Sequence, residues 1–159
     1  MAKVFLICGK ICSGKSTYAV RLREKQGAIL LSVDEIMLAV FGLYAGDRHD
    51  EYTERIQKYL FEKSVEIIRT GHSVILDWGF WTGKNRADAK AFYKSRDIAC
   101  ELHYLDVSDK VWKDQIVQRN RSVLAGKAKA YLIDENLAAK FEALFEAPQA
   151  DEIDVYVRR

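Results

Sequence analysis

The sequence predicts a three-layer α/β/α domain, and three observations carry that prediction. Five short apolar runs rich in branched residues recur along the 159 residues, longer segments with helical periodicity separate them, and the first run leads directly into the glycine-rich stretch CGKICSGKST, Cys8–Thr17. Strands that alternate with helices favour a parallel sheet, because parallel neighbours need a crossover and that crossover is usually a helix covering the sheet face.

In chain order, VFLIC (Val4–Cys8) reads as the first strand and KSTYAVRLREKQ as the helix that follows it. AILLSV (Ala28–Val33) is the second strand. GLYAGDRHDEY (Gly42–Tyr52), with its glycines and polar residues, reads as a loop. EYTERIQKYLFEKSVEIIRT then has helical spacing, with Ile56, Tyr59, Leu60, Val65 and Ile67 or Ile68 forming one apolar stripe. SVILDW (Ser73–Trp78), ACELHYLDV (Ala99–Val107) and IDVYV (Ile153–Val157) complete the strands. The basic segment RSVLAGKAKAYLID (Arg121–Asp134) lies between two helical patterns and reads either as a mobile cover or as an ordinary surface loop. With one proline, Pro148, and no repeat or low-complexity tract, nothing marks a linker, so a single domain over residues 1–159 is expected.

Composition excludes several classes of function. With 49% hydrophobic residues, 30% charged residues and a formal net charge of +2, bulk charge argues neither for a nucleic-acid coat nor for a membrane surface. The opening MAKVFLICGK is too short to span a bilayer and lacks the pattern of a secretory signal, which predicts a cytoplasmic protein with no membrane partner. Cys8, Cys12 and Cys100 form no CxxC pair and no zinc-type spacing, so neither a disulfide nor a structural metal is expected.

Gly9, Gly14, Lys15 and Ser16 fill the pattern GxxxxGK[ST] after a strand and before a helix, the context that the pattern's chemistry requires. Glycines let the backbone turn tightly so that successive N–H groups cradle phosphate oxygens, while the helix presents its positive end to the same anion. The stretch Gly9, Lys10, Cys12, Ser13, Gly14, Lys15, Ser16 and Thr17 is therefore expected to hold a nucleoside triphosphate, ATP, with Lys15 on the β and γ phosphates and Ser16 as a Mg²⁺ ligand. Cys12, near a helix N-terminus, reads either as an oxidation-sensitive thiol or as a small buried filler.

Two carboxylates end apolar runs: Asp34 in LLSVDEIM and Asp77 in SVILDWGF. In a parallel sheet the C-terminal strand ends share the edge that carries the phosphate loop, so both acids are expected to face the γ-phosphate. Asp34 is the candidate base for an acceptor hydroxyl. Asp77 is a ligand or orienter of Mg²⁺, or a group that positions the acceptor, with a helix N-cap as its structural alternative. Glu35 is expected to point away. Arg119 and Arg121, in QRNRSVLAGKAK, are candidates for neutralising the transferring phosphoryl group, against the alternative of a solvated basic face.

In this order GKICSGKST, SVDEIM, VILDWGF and QRNR resemble the P-loop kinase group that includes polynucleotide 5′-hydroxyl kinases, chloramphenicol phosphotransferase and zeta toxins, often catalogued as AAA-type ATP-binding domains. The resemblance runs from Lys3 to about Phe145. It implies a P-loop NTPase core of five parallel strands in the order 2-3-1-4-5, a small lid over about residues 119–134, and transfer of the ATP γ-phosphate to a hydroxyl. It also implies that Lys15 and Ser16 hold phosphate and Mg²⁺, that Asp34 is the general base, that Asp77 is the third-strand acid, and that Arg119 opens the lid arginine motif. Polynucleotide kinases of the group carry an arginine shortly after the base, whereas this chain has Met37 and Leu38, so a nucleic-acid acceptor is not favoured.

WGFWTGKNR clusters Trp78, Phe80 and Trp81 with Lys84 and Arg86, a set able either to stack a flat acceptor and fix an anion or to pack the sheet edge against the next helix. His49 reads either as a substrate contact or as a solvent-exposed residue, His72 as solvent-exposed, and His103 as a strand residue facing a helix. The leading expectation is a Mg·ATP-dependent kinase acting on a hydroxyl of a small or nucleotide-like molecule. The alternative is an ATPase switch acting on a protein partner.

Overall fold

The computed structural model describes residues 1–43, 45–128 and 130–158; Tyr44 of the expected loop, Lys129 of the expected cover and Arg159 lie outside the described residues. The five expected strands form one parallel sheet: β1 (Val4–Cys8), β2 (Ile29–Ser32), β3 (Val74–Gly79), β4 (Cys100–Asp106) and β5 (Val155–Arg158), in the order β2-β3-β1-β4-β5. The helices are α1 (Lys15–Gln26), α2 (Val33–Phe41), α3 (His49–Arg69), α4 (Gly83–Lys94), α5 (Asp109–Leu124) and α6 (Glu135–Leu144). Among the described residues no helix is long and apolar enough to cross a membrane.

The three layers follow from the side-chain period of the central strand. Every residue of β1 is buried, and alternate residues serve opposite faces. Val4, Leu6 and Cys8 pack with Val65 of α3 and Ala89 and Tyr93 of α4, whereas Phe5 and Ile7 pack with Ala19 and Leu22 of α1. His103 of β4 faces α1, as expected. Its Nδ1 lies 2.8 Å from the Tyr18 hydroxyl and its Nε2 lies 3.3 Å from Glu101, and burial lowers its pKa. His72 is exposed, also as expected.

Several boundaries differ from the sequence reading. The second apolar run splits: β2 stops at Ser32, whose hydroxyl accepts from the Glu35 N–H and so starts α2 at Val33. Asp34 is thus in the first turn of α2, not at a strand end. Helix α3 begins at His49, so His49–Tyr52 are helical, not part of a loop. On α3, Leu60 and Val65 are buried, but Tyr59 is 60% exposed, with Lys63 over its ring. Helix α5 continues to Leu124, so Arg119 and Arg121 belong to it, and the irregular part of the expected cover begins after it. Asn120 ties that part down, donating to the Ile133 carbonyl at 2.7 Å and accepting from the Ile133 N–H at 2.9 Å, while the Ile133 side chain packs on Trp112 and Ile116.

Arg86 is the largest departure. The guanidinium offered by sequence as an anion site is 2% exposed and turned into the protein. Its Nε donates to Glu152 Oε2 at 2.6 Å, and its Nη1 donates to the carbonyls of Phe80 at 3.1 Å and Glu146 at 2.8 Å. It thereby fixes the turn after β3, where Gly79 (φ 92°) and Phe80 (φ 46°) are both left-handed, against the segment leading to β5. Removing one partner of a buried pair leaves the other charge and two carbonyls without compensation. Arg86→Ala is therefore expected to lower the free energy of urea unfolding by about 3 kcal/mol or more. A loss within the range of about 0.5 kcal/mol typical of surface changes would contradict this anchoring role.

Candidate functional site

The loop between β1 and α1 is built for an anion. Gly14 (φ 85°) caps α1 in the left-handed region, and α1 alone among the described α-helices has neither a side-chain cap nor an acidic residue in its first turn. Its first N–H groups, and the positive end of its dipole, are left for a ligand. Gly9 is required by close approach: a Cβ there would stand 2.6 Å from Ser13 Oγ and 3.0 Å from the Leu105 carbonyl oxygen. Cys12 takes the left-handed conformation without being glycine, at φ 58°. It is half-buried rather than a buried filler, packs at the edge of the Trp112–Ile116 cluster and lines the cleft described below.

The Lys15 side chain curls back under the loop, and its Nζ donates to the Lys10 carbonyl at 2.6 Å. Burial lowers the pKa of this ammonium, and Asp77 opposes that shift more than any other neighbour. Asp77 is itself 6% exposed, and burial raises its pKa against the pull of Lys15 and of the Ser16 hydroxyl, which donates to Asp77 Oδ2 at 2.9 Å. Ser32 pairs with Asp77 in the sheet register, which sets the start of α2, and with it Asp34, beside the end of β3.

These groups open into one cleft of about 880 Å³. Of the residues expected from sequence, Cys12, Gly14, Lys15, Ser16, Thr17, Asp34, Asp77 and Arg119 line it. Arg119 Nη1 donates to Cys12 Sγ at 3.6 Å, so the α5 arginine leans over the phosphate loop. Arg121, two residues along the same helix, is exposed and is absent from the lining. Glu35 is exposed and absent as well, as expected. Lys10 turns outward to Asp109 and Glu142 with its Nζ over the Trp112 ring, and Ser13 is fully buried beneath the loop. Gly9 and Ser13 thus shape the loop from below, while Lys15, Ser16 and Thr17 face the cleft.

Trp78, Phe80 and Trp81 line the cleft, but the basic residues of the same stretch do not: Arg86 is the internal anchor and Lys84 is an exposed partner of Asp88. His49 is half-buried at the cleft wall, not solvent-exposed, with its ring edge-on to Tyr131 at 6.2 Å. Sequence reasoning missed the contribution of α3 and α4. Asp50, Thr53, Gln57 and Phe61 of α3 all line the cleft, as do Asn85, Asp88, Ala89 and Phe92 of α4. The signal was present in the spacing, since steps of three and four put each set on one helix face.

Ser16 Oγ and Asp77 Oδ2 are hard oxygen donors beside the phosphate loop. Mg²⁺ is usually held by one or two such protein groups, with waters and phosphates completing its shell, so the pair fits that ion. Among the described residues no cluster of three or more His, Cys, Asp or Glu side chains has metal-site geometry, and a site of this kind does not need one.

A family profile described as AAA domain matches residues 4–148. No curated protein matches the chain. Among solved structures, a candidate kinase of Chloroflexus aurantiacus J-10-fl superposes with a TM-score of 0.75 at 14% identity, covering 99% of this chain and 86% of that one. The APS kinase of Mycobacterium tuberculosis, solved with AMPPNP and APS, gives 0.64 at 17% identity, covering 99% and 88%. A gluconokinase of Sinorhizobium meliloti gives 0.62 at 15% identity, covering 98% and 81%. At these identities the likeness is one of fold.

The three free thiols report on the loop. Burial pushes the Cys8 thiol up to about 11 and the Cys100 thiol up to about 12, whereas Cys12 lines the open cleft. Iodoacetamide is expected to modify Cys12 first in the native protein, read by peptide mass spectrometry. ATP at roughly 100 times its Kd is expected to slow that reaction roughly 100-fold, through occupancy alone. Modification of Cys8 ahead of Cys12, or a rate indifferent to ATP, would contradict the assignment of the loop.

Proposed function

The chain belongs to the AAA domain family, and from that premise we propose that it is a Mg·ATP-dependent kinase that transfers the γ-phosphate to a hydroxyl of a small molecule. The observation that carries the reading is that Lys15, Ser16, Asp77, Asp34 and Arg119 line one cleft together with Phe61, Trp78, Phe80, Trp81 and Phe92. A nucleotide-hydrolysing switch has no need of that aromatic lining, whereas a kinase must hold an alcohol in line with the γ-phosphate.

In this reading the loop N–H groups and the end of α1 cradle the β and γ phosphates, and Lys15 moves from the Lys10 carbonyl to phosphate oxygens. Ser16 and Asp77 would hold Mg²⁺, which would supply neutralising charge to the phosphates. Asp34 accepts the proton of the acceptor hydroxyl as its oxygen bonds to the γ-phosphorus and the bond from that phosphorus to the β–γ bridging oxygen breaks, leaving ADP. Arg119 supplies positive charge to the equatorial oxygens, and Arg121 has no direct part. Residues 119–134 act as the lid. Met37 and Leu38, both lining the cleft, leave no cation where a nucleic-acid acceptor would place its phosphate.

The test separates binding from transfer. Lys15→Ala is expected to abolish transfer and weaken ATP binding, whereas Asp34→Asn is expected to leave ATP binding intact and lower transfer by roughly 10²-fold or more, as measured with γ-labelled ATP. Full transfer by Asp34→Asn would remove Asp34 as the base.

A further inference from the structure

The charge and shape of the acceptor recess restrict the substrate further than the kinase reading does, and this inference rests on that reading for the identity of the recess. The wall is aromatic. Phe61 of α3 meets Trp78 edge-on at 5.4 Å and Phe92 of α4 at 5.3 Å, and Trp78 stacks with Phe80 at 5.2 Å. The side chain of Met37 extends this apolar lining from α2. Two buried polar atoms of lining residues, Thr53 Oγ1 and Trp81 Nε1, have no hydrogen-bond partner within the protein. Both atoms are enclosed, and Trp81 Nε1 packs against Gly79, so recognition of a ligand falls to the rings and the carboxylates.

The charges are of one sign. Asp34, Asp50 and Asp88 line the cleft, while its lysine and arginine lining, among the described residues, is confined to Lys15 and Arg119, both at the phosphate loop. The neighbouring cations are engaged by other groups: Arg48 is forked onto Glu51, Arg86 is buried on Glu152, Arg96 lies over the Phe92 ring, and Lys84 pairs with Asp88. An anionic acceptor entering this recess would find the carboxylates of Asp34 and Asp50, neither in an ion pair among the described residues, and ring faces, both of which repel it. A cation would find both attractive.

We propose that the acceptor is an amine-bearing alcohol, a compound whose protonated amino group lodges between the aromatic wall and Asp50 while its hydroxyl is presented to Asp34. The recess selects this class over neutral amides of the same shape, and over carboxylates and phosphate esters more strongly still.

Binding tests the inference independently of transfer, because Trp78 and Trp81 line the cleft and their fluorescence reports occupancy. The probes are 2-amino-1-phenylpropane-1,3-diol, its N-acetyl derivative and 2,3-dihydroxy-3-phenylpropanoate, titrated into the full chain at neutral pH. The amine is expected to bind about tenfold more tightly than the amide or better, and the carboxylate more weakly than either. Asp50→Asn is expected to reduce the preference for the amine while leaving amide binding in place, which also shows that the variant is folded. Amine binding no tighter than amide binding, absence of binding included, overturns the proposal, as does a preference for the carboxylate. Phosphate transfer from Mg·ATP is followed on the same probes: an amine preference without transfer supports the charge assignment and counts against the kinase reading alone.

Discussion

The partial burial of one ammonium group organises the site. Lys15 is half-buried beneath a loop that must stay open for phosphate, and a partly desolvated charge of that kind is tolerated only with close compensation. The Lys10 carbonyl takes one of its protons, and Asp77, itself buried, supplies the opposite charge. Asp77 is held in turn by Ser16. The result is a chain of polar groups linking the loop to the end of β3, formed before any ligand arrives. A triphosphate entering here exchanges one set of partners for another, so part of the electrostatic work is done in folding.

That arrangement requires the end of β3 to be fixed, and the protein fixes it with groups far apart in sequence. The left-handed turn at Gly79 and Phe80 is strained unless its surroundings hold it. Arg86 does so from α4, accepting support from Glu152 near the start of β5 and reaching the carbonyls of Phe80 and Glu146. On the other flank, the Ser32 cap starts α2 immediately after β2, in register with Asp77, and so brings Asp34 to the same edge. The two carboxylates therefore differ in setting: Asp77 is buried and fixed, whereas Asp34 is exposed on the first turn of a helix, where an acceptor hydroxyl can reach it.

Much of this was legible in the sequence because its signals are local. All five strands appear as apolar runs within a residue or two of their final limits, and the phosphate loop is written in contiguous residues. The misreadings involve contacts between distant segments. Nothing around Arg86 indicates that Glu146 and Glu152 will claim it, so a buried anchor is offered by the sequence as a group that could fix an acceptor's anion. His49 can read as exposed because its half-burial depends on Tyr131, more than eighty residues on. The recess is a different case. Asp50, Thr53, Gln57 and Phe61 lie on one helix face, but a mixed polar and aromatic stripe carries no hydrophobic period and is easily passed over as a solvated side.

In the proposed reaction the cleft joins a phosphate donor to an alcohol and does not merely hydrolyse nucleotide. The most direct measurement is the phosphate balance: with Mg·ATP and a panel of amine-bearing and neutral alcohols, the amounts of ADP, free phosphate and phosphorylated alcohol are quantified together. One class of alcohol is expected to accelerate ADP formation, with each ADP matched by one phosphorylated alcohol and little free phosphate. ADP matched instead by free phosphate, at a rate no alcohol changes, would contradict the proposed reaction.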